Sequence, residues 1–408
     1  MNHEITASLS TTLDSEQTSA MHEMYRHLHA NPELSMQEHR TAAYISQQLD
    51  ALGIENFACG GTGVVGIQRN GEGPVIGFRA DTDGLPIAED TGADYASSVR
   101  GTLADGTEVP VMHGCGHDTH VTAALTSAAL LSEQTDAWSG TIVWIFQPGE
   151  ETSAGARAML DDGLWDKAPR PEVILGQHVF PFAAGSIGIT SGPAMAMADS
   201  LKVTLRGKQS HGSMPQDSID PILLGAHTIT RLQGLVSREL HPQTPAVVTC
   251  GTFHAGLKEN IIPDHAEFTL NIRTLDDSAR SKILSGVKRI VEAEAAASNA
   301  PIPEIVKLNS FPKLHNDPEH TERIKQALTA ELGADQVAEL PPAMGSEDFG
   351  ALGDEIAVPY VYWFFGGFLP RTGDFPVNHS PYFLPDYEPT LATGVRAATA
   401  GIGHYLAR

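Results

Sequence analysis

Residues 111–120 read Val-Met-His-Gly-Cys-Gly-His-Asp-Thr-His, and this stretch concentrates the chain's capacity for chemistry. Three histidines, one cysteine and one aspartate fall within eight positions, spaced by glycines. Cys115 and His117 stand two apart, so on an extended backbone their side chains point the same way. Gly114 and Gly116 let the main chain approach whatever those side chains hold. A thiolate, neutral imidazoles and carboxylates suit a borderline-soft divalent ion: zinc first, with manganese and cobalt as alternatives. A second chemical reading is a cysteine nucleophile, Cys115, paired with His117. The plainest is a polar loop capping the apolar run Val121–Leu131, although solvated loops rarely gather His and Cys in this way.

Other candidates stand at the ends of apolar runs. Thr141–Gln147 is almost continuously apolar, the pattern of a strand buried on both faces, and it leads into Pro148-Gly149-Glu150-Glu151. Adjacent carboxylates repel unless positive charge is near, and a metal provides it. One Glu then binds the ion while its neighbour acts as general base on water. Taken alone, the pair reads more simply as a helix start, where the dipole favours Glu. Val75–Ala80 leads into Asp81-Thr82-Asp83-Gly84, although turns favour Asp by themselves. Val173–Gly176 precedes Gln177-His178, and a loop after Val358–Phe365 carries Asn378-His379. With 18 histidines in the chain, a single one means little; placement beside strand ends singles these two out. In open α/β sheets ligands bind along the carboxyl edge, where residues from separate segments converge.

The elements that must position these groups follow from periodicity. Residues 17–52 read as helical with a break at Asn31-Pro32 and a stop at Gly53. Val64–Gln68 and Val75–Ala80 read as strands separated by the turn Asn70-Gly71. Thr119–Leu131 and Ala154–Leu160 read as helices. From about residue 195 the rhythm changes. Leu201–Arg206 alternates as a strand, followed by a helix over Pro221–Leu235 and strands over Ala246–Phe253 and Ala266–Arg273. A long helix, Ala279–Ala297, and a strand, Pro303–Leu308, complete the segment. This βαββαβ order predicts a self-contained α+β domain inserted into a mainly parallel α/β domain. The expected division is a catalytic domain over 1–194 and 312–408, with an inserted lid over 195–311.

Composition narrows the partners. A length of 408 residues suggests two cores, and a formal charge of −24 argues against nucleic acid or an anionic membrane surface. An anionic substrate would need a local positive site. Three scattered cysteines imply no disulfide framework. The polar stretch Met1–Ala20 carries no apolar run of signal-peptide type, and nothing approaches a membrane span, so the expected compartment is the cytoplasm.

An ordered set of motifs runs along the chain: Asp81-x-Asp83-Gly-Leu-Pro, Met112-His-Gly-Cys-Gly-His-Asp118, Gln147-Pro-Gly-Glu-Glu151, Gln177-His178-Val, Ser210-His-Gly-Ser213, Asn260-Ile-Ile-Pro263, Gly345-Ser-Glu-Asp-Phe349 and Asn378-His-Ser380. From about residue 20 to 400 the chain resembles the aminoacylase/carboxypeptidase superfamily of two-metal amidohydrolases. Within it the match is to the branch of hippurate hydrolases, indole-acetyl-amino-acid hydrolases and bacterial N-acyl-amino-acid aminoacylases. The resemblance implies that Cys115 bridges two divalent ions, that His117, Glu151, His178 and His379 complete their shells, and that Glu150 is the general base. It implies that His211 of the lid stabilises the oxyanion, and that Asn260 and Arg273 contact the substrate carboxylate or backbone. The wider superfamily has His-x-Asp where this chain has Asp81-Thr82-Asp83, so Asp83 is expected to orient a ligand rather than to be one, and Asp81 is not expected among the ligands. Gly84 and Gly114 stand where the branch often has Ala.

The expected activity is hydrolysis of the amide bond of N-acyl amino acids, in a homodimer formed through the lid. Two other classes remain open on sequence: a cysteine hydrolase using Cys115 and His117, and a non-catalytic amino-acid binder on the same fold.

Overall fold

The structure, a computed structural model, describes residues 9–408, so the first eight residues of the stretch read as free of a leader lie outside it. The chain forms two compact units. One comprises the residues up to Ala194 with His315–Pro341 and Asp348–Arg408; the other comprises Met195–Leu314 and Pro342–Glu347.

In chain order the first unit begins with α1 (Ser15–Ala30), α2 (His39–Ala51), β1 (Glu55–Cys59), β2 (Gly63–Asn70) and β3 (Val75–Asp81). It continues with α3 (His117–Ser132), β4 (Gly140–Gln147), α4 (Gly155–Asp161), β5 (Val173–Ala183) and β6 (Ile187–Ile189). The second unit holds β7 (Met197–Arg206), α5 (Pro221–Gly234), β8 (Ala246–Ala255), β9 (His265–Thr274), α6 (Asp277–Ala297) and β10 (Glu304–Phe311). The first unit closes with α7 (Pro318–Leu332), β11 (Val337–Glu339), β12 (Tyr360–Phe368) and α8 (Tyr387–Leu406).

The first unit is built on an eight-stranded sheet of order β1-β2-β4-β3-β5-β12-β6-β11. Its centre, β4-β3-β5-β12, is parallel, and its flanks are mixed. β2 and β3 flank the Asn70-Gly71 turn but are not hairpin partners, because β4 lies between them. Ile142, Trp144 and Phe146 are fully buried, and a strand of that kind needs a neighbour on each edge. Trp144 Nε1 donates to Gln68 Oε1 at 2.9 Å, which satisfies the buried indole nitrogen.

β5 also outruns its apolar segment. Its pairing with β12 continues to Ala183, so His178 lies within the strand rather than past its end. Main-chain hydrogen bonds to a neighbour set that length, not side-chain hydropathy.

α3 carries small residues, Ala123, Ala124 and Ala128 among them, and is buried on nearly every side between the sheet, α1 and α8. A helix buried all round shows no apolar stripe in its sequence. Asp14 starts α1 with a capping box, accepting from Glu16 N and Gln17 N while Gln17 reaches back to Asp14 N.

The second unit is an antiparallel sheet of order β8-β9-β7-β10, with α5 and α6 on a core of Val203, Leu205, Phe268, Leu270, Ile283 and Val287. The order of its elements is the βαββαβ that the sequence spells out.

Candidate metal centre

Cys115 lies in the turn before α3. Gly116 follows with φ of 81°, and a Cβ there would come within 2.4 Å of Val179 Cγ1, so only glycine fits. His117 is the first residue of α3, and Cys115 Sγ stands 3.4 Å from His178 Nε2 of β5. Each histidine is held by its other ring nitrogen. His117 Nδ1 is 3.1 Å from Asp83 Oδ1, and His178 Nδ1 donates to Val179 O at 2.7 Å. Both Nε2 atoms are thereby turned into the cluster, the usual arrangement of imidazole ligands.

Glu151 Oε1 reaches to 3.2 Å from His379 Nε2 and 3.9 Å from His117 Nε2. His379 adopts φ of 67°, left-handed for a non-glycine residue. Its N–H donates to Gly114 O at 2.8 Å, and Asn378 Nδ2 donates to Cys115 O at 3.3 Å. The loop with His379 is therefore sewn to the loop with Cys115. Ligand atoms of Cys115, Glu151 and His379 lie within 4.8 Å of one another, as do those of His117, Glu150 and Glu151.

The donors fit a pair of divalent ions. His117 Nε2 and Glu151 Oε1 are buried yet make no hydrogen bond. An unsatisfied buried polar atom costs about 1–3 kcal/mol, and a cation between them would satisfy both. Sulfur, nitrogen and carboxylate oxygen together suit zinc, manganese or cobalt. The field agrees. Burial pushes the Cys115 thiol well up, and Glu151, Glu150 and Asp81 add to it. Burial opposes a proton on His117, but Asp81, Asp83 and Glu151 outweigh it and push it up to about 10. The negative field that draws a proton to this ring would equally draw a dication, which would convert the thiol to thiolate.

Asp81 Oδ2 lies 3.6 Å from His117 Nε2, and Asp81, His117, His120 and His178 form a further group whose ligand atoms lie within 4.8 Å of one another. Arg79 Nη1 donates to Asp81 Oδ2 at 2.6 Å, and His120 Nδ1 contacts Asp81 Oδ1. His120 Nε2 in turn accepts from Val179 N at 2.8 Å. Arg79 also reaches Gln147 Oε1 at 2.9 Å and Asp348 Oδ1 at 3.3 Å. Burial alone would raise Asp81, but Arg79, His117 and His120 hold it well below the carboxylate range.

A second buried set, Asp118–His29–Glu89, lies behind His117. His29 Nδ1 is 2.6 Å from Asp118 Oδ2, and its Nε2 is 3.1 Å from Glu89 Oε1. The sequence alone gives no role to Arg79, His120, Asp348, His29, Asp118 or Asn378. One signal was available: an arginine inside the apolar run Val75–Ala80 must find buried carboxylates.

Of the residues expected to act, Asp83, Cys115, His117, Glu150, Glu151, His178 and His379 come together in the first unit. His211, Asn260 and Arg273 belong to the second. His211 pairs with Ile261 in a short ladder, and Gly212 N donates to Asn260 O at 2.8 Å, so His211 and Asn260 are neighbours. Ser213 N donates to His211 Nδ1 at 3.1 Å, which leaves the ring proton on Nε2. Arg273 Nε donates to Asn271 Oδ1 at 2.9 Å and its Nη1 to Met344 O at 2.9 Å, so this side chain also braces the Pro342–Glu347 segment.

Known proteins share this architecture. The chain is 36% identical over 365 residues to N-acetyl-L-cysteine deacetylase of Bacillus subtilis, covering 88% of this chain and 82% of that one. It is 35% identical over 370 residues to hippurate hydrolase of Campylobacter jejuni, covering 89% and 91%. A dinuclear metal-binding peptidase of the M20 family from Bacillus subtilis superposes with a TM-score of 0.77 at 32% identity, over 95% of this chain and 99% of that one. Residues 77–402 match the profile of peptidase family M20/M25/M40, and by that match and these relatives the chain belongs to this family.

Proposed function

We propose that this chain is a metal-dependent amidohydrolase that cleaves N-acyl amino acids into a carboxylic acid and a free amino acid. The observation that carries the reading is the convergence of Cys115, His117, Glu151 and His379 around Glu150, with His178 beside Cys115. Cys115, His117, Glu151, His178 and His379 would hold two divalent ions. Zinc suits a thiolate and imidazoles best, with manganese or cobalt as the alternatives. Bound there, such ions supply Lewis acidity, polarising the amide carbonyl and acidifying a water.

The chain's own groups do the rest. Glu150 takes the proton of the attacking water and passes it to the leaving amine. Asp83 holds the His117 ring through Nδ1. His211, with its proton on Nε2, is set up to donate to the developing oxyanion. Arg273 and Asn260 meet the amino-acid carboxylate, in a chain whose net charge otherwise repels anions. The unit that runs up to Ala194 and includes His315–Pro341 and Asp348–Arg408 would be the catalytic part, and Met195–Leu314 with Pro342–Glu347 the lid.

The same reading includes a homodimer paired through the inserted domain. Met214, Leu223, Leu257 and Ile261 are exposed there, and β8 offers an unpaired sheet edge. A cytoplasmic site is consistent with three free cysteines, Cys59, Cys115 and Cys250. Among the described residues no helix is long and apolar enough to cross a membrane.

A cysteine hydrolase would need a lowered thiol pKa, whereas burial and the surrounding carboxylates drive Cys115 the other way. Dialysis against a chelator tests the reading. Hydrolysis of an N-acyl amino acid should vanish and return with Zn²⁺, Mn²⁺ or Co²⁺. Activity that survives complete metal removal but is lost to a thiol alkylator would replace it with the cysteine mechanism, and absence of turnover on any acyl-amino acid would leave a binding protein.

A further inference from the structure

The sequence marks Asn31-Pro32 only as a break between two helices, yet the connection from α1 to α2 is bonded to both turns that carry the acidic residues of the metal centre. Glu33 O accepts from Gly84 N at 2.7 Å, and Ser35 Oγ donates to Asp83 Oδ2 at 2.6 Å. Asp83 Oδ2 also accepts from Glu151 N at 3.1 Å. Glu38 takes hold of the residue before Glu150: Gly149 N donates to Glu38 Oε1 at 2.8 Å. Glu38 is fully buried and stands just before α2, but its side chain does not cap that helix. Glu33 serves the helix end instead, accepting from Thr41 N at 2.8 Å. The remaining partners of Glu38 are Met36 N, which donates to Oε1 at 2.8 Å, and Thr62 Oγ1, which donates to Oε2. All three partners donate, so both oxygens must accept, as those of a carboxylate do. Gly149 is confined from other directions as well. Its φ is 56°, and a Cβ there would come within 2.5 Å of Met36 Sδ. Its carbonyl accepts from Ala154 N and Gly155 N, each at 3.2 Å. Glu150 therefore projects from a peptide that is held at its N–H by Glu38 and at its C=O by the start of α4.

We propose that Glu38 is the positioning residue of the general base: through Gly149 N it fixes the backbone from which Glu150 projects, and it acts through that backbone rather than on the substrate. This rests on the amidohydrolase reading above, in which Glu150 moves the proton. Proton transfer needs the base within hydrogen-bond reach, and a misplacement of about 1 Å costs on the order of a hundredfold in rate. Glu151 has a tether of its own, the bond from its N–H to Asp83. Loosening Gly149 should therefore displace the base more than the neighbouring metal ligand. The loss should be read in kcat, with bound metal and KM close to those of the wild type.

The test uses the full chain loaded with Zn²⁺, assayed on a panel of N-acyl amino acids that includes N-benzoylglycine and N-acetylmethionine. Glu38→Asp keeps the charge and withdraws the acceptor by one methylene. Its kcat should fall about tenfold or more, with zinc content and KM within about twofold of wild type. Glu38→Gln keeps an acceptor for Gly149 N while the Thr62 hydroxyl turns to accept from the amide, so kcat should stay within about threefold. Thr62→Val removes a different hydrogen bond of Glu38 and controls for stability: its melting temperature should fall and its kcat should not. Hydrogen exchange of the peptide holding Gly149, followed by mass spectrometry on the metal-free chain, should quicken about tenfold in Glu38→Asp and stay unchanged in Thr62→Val. Thermal melts confirm that the variants fold. An unmoved kcat or unmoved exchange in folded Glu38→Asp overturns the positioning role while leaving the amidohydrolase intact. So does a folded Glu38→Gln that loses tenfold or more, which also decides the matter if Glu38→Asp does not fold. Zinc lost in step with kcat, or Thr62→Val losing as much kcat as Glu38→Asp, overturns it as well, in favour of a general structural role. Failure of the wild type on the whole panel, or full activity in Glu150→Gln, removes the parent reading and the positioning role with it.

Discussion

Glu150 and Glu151 are adjacent in sequence and divide two tasks by position. Glu151 Oε1 faces His379 and His117, while Glu150 is 6% exposed beside them. Glu150→Gln should keep its metal and lose about a thousandfold or more in turnover, as expected when a general base is removed. Metal analysis alongside kinetics checks it, and near-wild-type turnover would remove Glu150 from the mechanism. Cys115→Ala distinguishes ligand from nucleophile. A bridging thiolate predicts that bound metal falls together with activity, whereas full metal content in a dead variant would favour a covalent role. Arg79 is a different kind of residue, fully buried and the largest influence holding Asp81 ionised. Arg79→Met should cost roughly 3–5 kcal/mol in urea unfolding, because it strips the cation from buried carboxylates. A loss below 1 kcal/mol would mean that Asp81 takes up a proton and the network relaxes.

At the scale of elements, α1 is tied to α3 by a charge. His29 in the last turn of α1 meets Asp118 in the first turn of α3 and Glu89 of the intervening segment. Two carboxylates on two ring nitrogens require both to donate, so His29 is an imidazolium. Burial opposes that charge, but Asp118 and Glu89 overcome it and push His29 up to about 9. The neighbouring rings do not titrate in the same window: burial raises Tyr25 and pushes Tyr95 up to about 12, and it drives His113 down to about 4. The sign follows from a folded value above the unfolded one. The contribution is complete below about pH 6.5 and fades as pH rises through about 9, with a size on the order of 3 kcal/mol. The stability gap between wild type and His29→Gln should therefore be widest near pH 6 and shrink by pH 9.5, in denaturant titrations of metal-free protein. A gap that does not change with pH would mean that His29 is neutral.

For the whole molecule, the place at which His211 acts decides how the two units cooperate. It sits in the second unit, exposed, with neither Asn260 nor its own ladder belonging to the metal cluster's unit. The dimer proposed above would let each inserted domain send this histidine to its partner. His211→Ala and Glu150→Gln homodimers should each be nearly inactive. A mixed dimer has one site in which Glu150 of the His211→Ala chain meets His211 of the partner, so mixing under subunit exchange should restore up to about half of wild-type activity per mixed dimer. Exchange confirmed by mass spectrometry without any return of activity would confine His211 to its own chain or remove it from catalysis.

The sequence by itself determined the chemistry and much of the framework. Ligand types and spacing over 111–120, the Glu150-Glu151 pair after an apolar run, and the βαββαβ segment are all local patterns, and a local pattern survives being written in one dimension. What only the tertiary structure decided are the relations between distant segments. β4 enters between β2 and β3 because a strand buried on both edges needs two neighbours, and no turn signal could say so. His178 stands inside a strand because pairing to β12 extends β5 past its apolar residues. His379 reaches the cluster through a left-handed backbone, its own hydrogen bond to Gly114 and that of Asn378 to Cys115, partners more than 260 positions away. Arg79, His120 and His29 acquire their roles from carboxylates that folding delivers to them. The energetics of buried charge depend on what is a few ångströms away in space, and that distance is not a property of the sequence order.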